Sequence, residues 1–146
     1  MQTSHEKDVV AWAIEQAQLL RYGQLSALDI EHIAEEIEDV GKSEQRELAS
    51  RLEVLLTHLL TWQYQPAYQG KSWLATIKEQ RLRIAQRIKE SPSLVNMLSS
   101  DEWVADCWAI AKARASAETG LEDFPESCLW SMEQALEDGW LPSALR

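Results

Sequence analysis

An all-α fold, organised as a single-domain bundle of about five to seven helices with up-and-down packing, follows from three observations. Apolar residues recur at three- and four-residue spacing along nearly the whole chain, whereas strand-like alternation of Val, Ile and Thr is almost absent. Capping residues and Gly or Pro stops fall between these periodic stretches. The 146 residues, 45% hydrophobic and 26% charged with five Gly and four Pro, suffice for one globular domain spanning the chain. No internal repeat or low-complexity tract divides it.

The elements follow in order. Thr3 with Glu6 reads as a capping box, and Val9, Val10, Ala13, Ala17 and Leu20 form one apolar stripe before Gly23, which predicts a first helix over residues 5–22. Trp12 and Leu19 lie about 100° from that stripe, so this helix is expected to touch two neighbours. Ser26 and Asp29 repeat the capping pattern ahead of Ile30, Ile33, Ala34, Ile37 and Val40, predicting a second helix over 27–40. Residues 42–64 carry Leu48, Leu52, Leu55, Leu56, Leu59 and Leu60, a stripe broad enough for the centre of a bundle, and Pro66 ends this third helix. Gly41 costs about 1 kcal/mol inside a helix, so a break between the second and third helices is expected, a single kinked rod being the alternative.

Ser72 opens a fourth helix through Trp73, Ile77, Ile84 and Ile88 to Glu90. Ser91 and Pro92 start a short one through Leu94, Val95 and Leu98. Ser100 opens the next, through Val104, Cys107, Trp108, Ala111 and Ala115, and Gly120 closes it. Residues 121–129 read as loop, with Phe124 and Pro125 pinned to the core, and Ser131 with Gln134 caps a last short helix.

Charge narrows the function classes. The formal charge of −10 repels phosphate backbones, so nucleic acid is not an expected partner. The charge is also segregated: residues 1–39 hold nine acids and two bases and residues 101–138 ten acids and two bases, whereas residues 71–90 hold six bases and two acids. That basic helix is expected to pack among acidic neighbours and neutralise them. The apolar run at residues 54–62 is about half of a membrane span and residues 1–8 lack the apolar core of a secretory signal, so no membrane partner and a cytoplasmic location are expected. Cys107 and Cys128 stand apart without metal-ligand spacing and read as buried thiols. Seven Trp against one Phe point to large aromatic contacts in the core and at a surface partner.

The string LDIEHIAEEIEDVGKSEQRELASRLEVLLTHLLTWQYQP, followed by SW at Ser72-Trp73 and PSL at Pro92, resembles the family called domain of unknown function 29. The resemblance runs from Trp12 through Gly41, Arg51, His58, Trp62 and Pro66 to Phe124-Pro125. It implies a small helical protein and supplies no reaction to carry over. Thr61, where the family often has Lys, and Leu129, where it often has Pro, depart from its pattern.

Three constellations could carry chemistry. Glu35, Glu36 and Glu38 cluster acids on helix two; Glu36 and Glu38 flank Ile37 on either side, while Glu35 and Glu38, three apart, share a semi-exposed edge and could hold a divalent cation. This faintly resembles the ExxE half of all-α nucleoside-triphosphate pyrophosphatases, with Glu44 and Glu47 as the only nearby mates, too close for the usual antiparallel pair. A solvated acidic face is the expectation, with no metal and no cofactor. Glu44, Arg51 and His58 form a row at seven-residue spacing beside the leucines. As catalytic candidates Arg51 would anchor an anion and His58 would move a proton; a surface ion ladder, with Arg51 paired to an acid of helix two and His58 bonded near Trp62, is expected instead. Arg83 and Arg87 give the basic helix a possible groove-binding edge without interleaved aromatics. The function expected is a non-enzymatic helical interaction or adaptor module, self-associating or bound to a protein partner; the alternative is a Mg-dependent phosphohydrolase using Glu35 and Glu38.

Overall fold

The computed structural model describes residues 3–143. Helix makes up 74% of it and no strand occurs among the described residues, so the chain is all-α with up-and-down packing contacts. Six α-helices are described: α1 (Val9–Arg21), α2 (Ile30–Tyr64), α3 (Lys71–Glu90), α4 (Val95–Leu98), α5 (Asp101–Thr119) and α6 (Met132–Leu136). Short 3₁₀ turns at Leu25–Ala27, Pro66–Tyr68 and Pro92–Leu94 precede α2, α3 and α4. The chain divides into two compact units, the first ending at Glu44 and the second beginning at Gln45.

Several expected boundaries move. The first helix begins at Val9 rather than at residue 5, because the Asp8 carboxylate accepts the Ala11 N–H and is the N-cap. Thr3 is drawn elsewhere: its backbone N–H and hydroxyl both donate to the Glu15 carboxylate, at 2.8 and 2.6 Å. The end is as expected, with Gly23 at φ +70°, its N–H on the Leu20 carbonyl and the Gln24 N–H on that of Leu19.

The second correction is Gly41, which lies inside a continuous 35-residue helix α2 and does not break it. Its φ is not positive, unlike those of Gly23, Gly120 and Gly139. Ending a helix there would leave up to eight backbone groups without intrahelical partners, a larger cost than the ~1 kcal/mol of an internal glycine. The following Lys42, Ser43, Glu44 and Gln45 include no proline to enforce a stop. Helix two also starts later than residue 27: Ser26 belongs to a 3₁₀ turn, and the Asp29 carboxylate accepts the His32 N–H at the start of α2.

In the second unit Leu48, Leu52, Leu55, Leu56, Leu59 and Leu60 of α2 have no exposed surface. Each contributes about 1.5–3 kcal/mol by leaving water. Against them pack Ile77 and Ile84 of α3 and Trp108, Ala111 and Ala115 of α5, the alanines allowing close approach. Thr57 and Thr61 are buried among these leucines because each hydroxyl donates to the carbonyl four residues back. Caps read from the sequence hold for α5, where Ser100 accepts from Trp103 N–H and Gly120 takes φ +76°, and for α6, where Ser131 and Gln134 close a capping box. Phe124 meets the Tyr64 ring at 5.1 Å, and the Pro125 carbonyl accepts the Trp108 indole N–H at 2.9 Å, which pins the loop as expected.

Candidate functional site

Trp12 and Gln16 are the only buried residues of the first unit among those described. They face the start of α2 through hydrogen bonds: the Trp12 indole N–H donates to Asp29 Oδ2 at 2.9 Å, and Gln16 Oε1 accepts the Asp29 N–H at 2.8 Å. His32 Nδ1 donates to the same Asp29 oxygen at 2.7 Å, and His5 Nε2 donates to Glu36 Oε1 at 2.7 Å. The His5 and His32 rings stack at 4.3 Å, with Trp12 edge-on to His5 at 4.7 Å. The seam between α1 and the first turns of α2 is therefore polar and aromatic rather than aliphatic.

The aliphatic stripes point outward. Val9, Val10 and Leu20 are 47%, 66% and 49% exposed, and Ile30, Ile37 and Val40 are 67–69% exposed. The expectation that helix one touches one neighbour along its aliphatic stripe and another along Trp12 and Leu19 is corrected, since the stripe is largely exposed. The Trp12–Gln16 side of α1, about 100° away, forms the seam instead, because its hydrogen bonds fix how the two helices meet. Nine of the sixteen exposed large hydrophobic side chains among the described residues lie on residues 9–40. The first unit thus carries aliphatic residues outside and a polar seam inside.

Glu35 and Glu38 are exposed, Glu38 lying 4.0 Å from Lys42, while Glu36 is taken by His5. No group of three or more His, Cys, Asp or Glu among the described residues could hold a metal ion. Arg51 pairs with Glu47 at 3.0 Å, one turn back on its own helix rather than on another. His58 Nδ1 donates to the Val54 carbonyl at 2.8 Å, and its ring lies 4.2 Å from Trp73, whose indole N–H donates to the His58 carbonyl. Its aromatic neighbour is thus Trp73, not Trp62. On the basic helix, Arg83 pairs with Glu79 at 2.9 Å and Arg87 with Glu47 at 3.5 Å. Cys107 is buried, its thiol pushed up to about 12 by burial, and half-buried Cys128 donates to the Trp130 carbonyl, burial raising its pKa as well.

The seam residues His5, Trp12, Asp29 and His32 escape a sequence reading because they are up to 27 positions apart; the one available signal is that Trp12 and Gln16 sit off the aliphatic stripe. The hydrogen bond to Asp29 raises the His32 pKa above its ordinary 6.5, with the charges of Asp29, Glu35 and Glu6 adding to it and burial opposing, while the same bond lowers that of Asp29 below 3.8. The stabilisation from a raised histidine is complete below pH 6.5 and lost as pH climbs through the raised value. That from a lowered carboxylate is present above pH 3.8 and lost as pH falls through the lowered value. The seam is expected to be firmest between these limits, so amide exchange at Asp29 and Trp12, corrected for intrinsic rate, should quicken from pH 6 to pH 8.5. In His32→Gln that pH dependence should flatten; an unchanged profile would exclude His32 as its source.

The model of the family described as "Domain of unknown function DUF29" matches residues 4–141. No curated protein and no solved structure matches the chain.

Proposed function

The chain belongs to the DUF29 family, and on that footing we propose that it is a cytoplasmic, non-enzymatic interaction module that self-associates through its first unit. The observation that carries this is the outward aliphatic face of α1 and of α2 up to Gly41, built on a seam that, among the described residues, buries only Trp12 and Gln16. Two helices cannot bury such a face on each other, whereas two copies closing into a four-helix arrangement can. Charge suits a second copy as the occupant. The outward face of α1 carries no acid and ends at Arg21, with Glu6, Lys7 and Asp8 before its start, while that of α2 is flanked by Glu31, Glu35 and Glu38. A two-fold axis that sets α1 of one copy against α2 of the other brings these flanks together. On this reading Glu35 and Glu38 steer assembly instead of holding a cation.

Two free cysteines, one buried and one half-buried, suit a reducing compartment, and no helix among the described residues is long and apolar enough to cross a membrane. A net charge of −10, together with the acid partners of Arg83 and Arg87, favours protein over nucleic acid as partner.

Sedimentation velocity tests the reading. The chain is expected to be dimeric at about 10 μM, and Ile30→Lys with Ile37→Lys should weaken dimerisation at least about tenfold. Both side chains are exposed in the single chain, so its helical content should not change. A wild type that stays monomeric at about 100 μM would overturn the proposal.

A further inference from the structure

The second unit holds an open groove of about 1040 Å³ that none of the features above uses. It runs between the end of α3, α4, the first turns of α5 and the segment 126–136. Ile88, Val95, Leu98, Val104, Met132 and Leu136 supply aliphatic lining. Its charged lining residues are Asp101, Glu126 and Glu133, and no Lys, Arg or His is among those described there. Val95 is 49% exposed in spite of its chemistry.

We infer that this groove docks a basic amphipathic helix of a partner protein, which sets aliphatic side chains on the lining and Lys or Arg against Asp101, Glu126 and Glu133. An aliphatic trough with carboxylates and no cations matches that chemistry in both respects: apolar anchors at i, i+3, i+4 and i+7 leave water on the trough, and flanking cations meet charges of opposite sign. The volume lies at the upper end of the range for small-ligand pockets and has room for several side chains of a helix. Met132 adapts its shape to different anchors at low cost. The segment 131–136 is short but held, because the capping box of Ser131 and Gln134 fixes α6 and the Cys128 thiol donates to the Trp130 carbonyl at 3.2 Å. The inference extends the interaction-module reading to a second surface, and its test separates the two.

Isothermal titration of the full chain with a synthetic 18-residue helix of Leu and Lys, Leu at i, i+3, i+4 and i+7, provides that test. Saturable one-to-one binding near about 10 μM at physiological salt is expected. Replacing the peptide's Lys by Glu should weaken it at least about tenfold, as should Glu126→Lys with Glu133→Lys, or Val95→Arg. Glu118→Lys with Glu122→Lys changes net charge equally away from the groove and should leave affinity within about twofold. Ile30→Lys with Ile37→Lys should also leave it unchanged, so that loss of dimerisation and loss of groove binding are read apart. Equal weakening by both charge-reversal pairs, equal binding of the acidic peptide, or binding indifferent to Val95→Arg would overturn the assignment.

Discussion

Trp108→Ala is expected to lower the unfolding free energy of the second unit by about 3–5 kcal/mol, the range for removing a large aromatic from a packed interior. Trp108 is 1% exposed and stands edge-on to Trp130 at 5.6 Å, which in turn meets Trp140 at 5.9 Å. Its indole N–H donates to the Pro125 carbonyl at 2.9 Å, so the same residue fills the core and holds the loop after α5. Two losses therefore add: a cavity beside Ala111 and Ala115, and a carbonyl in the loop without a donor. Trp108→Phe separates them, keeping a ring against Trp130 while removing the donor, and should cost about 1–3 kcal/mol. Urea unfolding followed by circular dichroism measures both. An Ala variant within about 1 kcal/mol of wild type would show that the aromatic chain from Trp108 to Trp140 does not organise this unit.

Local chemistry was legible and tertiary choice was not. The ends of α5 and the cap of α6 could be read because Ser100, Gly120, Ser131 and Gln134 act on backbone groups within a few residues of themselves. The leucines of α2 were readable as core because six of them crowd one helix side. Gly41 misled because a propensity cost was weighed without the larger cost of two new helix ends. The stripes on α1 and early α2 misled differently: periodicity shows which face is aliphatic but not what covers it. Glu35 and Glu38 were readable as exposed, whereas the seam depends on His5 meeting Glu36, a pairing that no spacing rule encodes. Arg81 was grouped with the other bases of α3, although it sits four residues after Ile77 and three before Ile84, squarely on the apolar side. That position was the available sign that it is not a surface charge.

Arg81 carries the second large prediction. It is 7% exposed, with Nε donating to the Ala135 carbonyl at 2.9 Å and Nη2 to the Trp140 carbonyl at 2.7 Å. One planar fork thus ties the last turn of α6 to the segment beyond Gly139, satisfying two carbonyls that no helix continues to use. Burial lowers its pKa, and the charges of Asp138 and Glu137 oppose that, so the group stays cationic throughout the working range. Arg81→Leu keeps apolar bulk but leaves both carbonyls without the fork, and is expected to cost about 2–4 kcal/mol. Arg81→Lys should fall between, since a single ammonium on a flexible stem does not reproduce the two-pronged geometry. The loss should be uneven: amide exchange should accelerate most over residues 131–141 and least among the leucines of α2, which bury one another without Arg81's help. Uniform acceleration across both would mean that Arg81 supports the whole unit rather than its last segment, and a Leu variant as stable as wild type would mean that these two carbonyls find other donors.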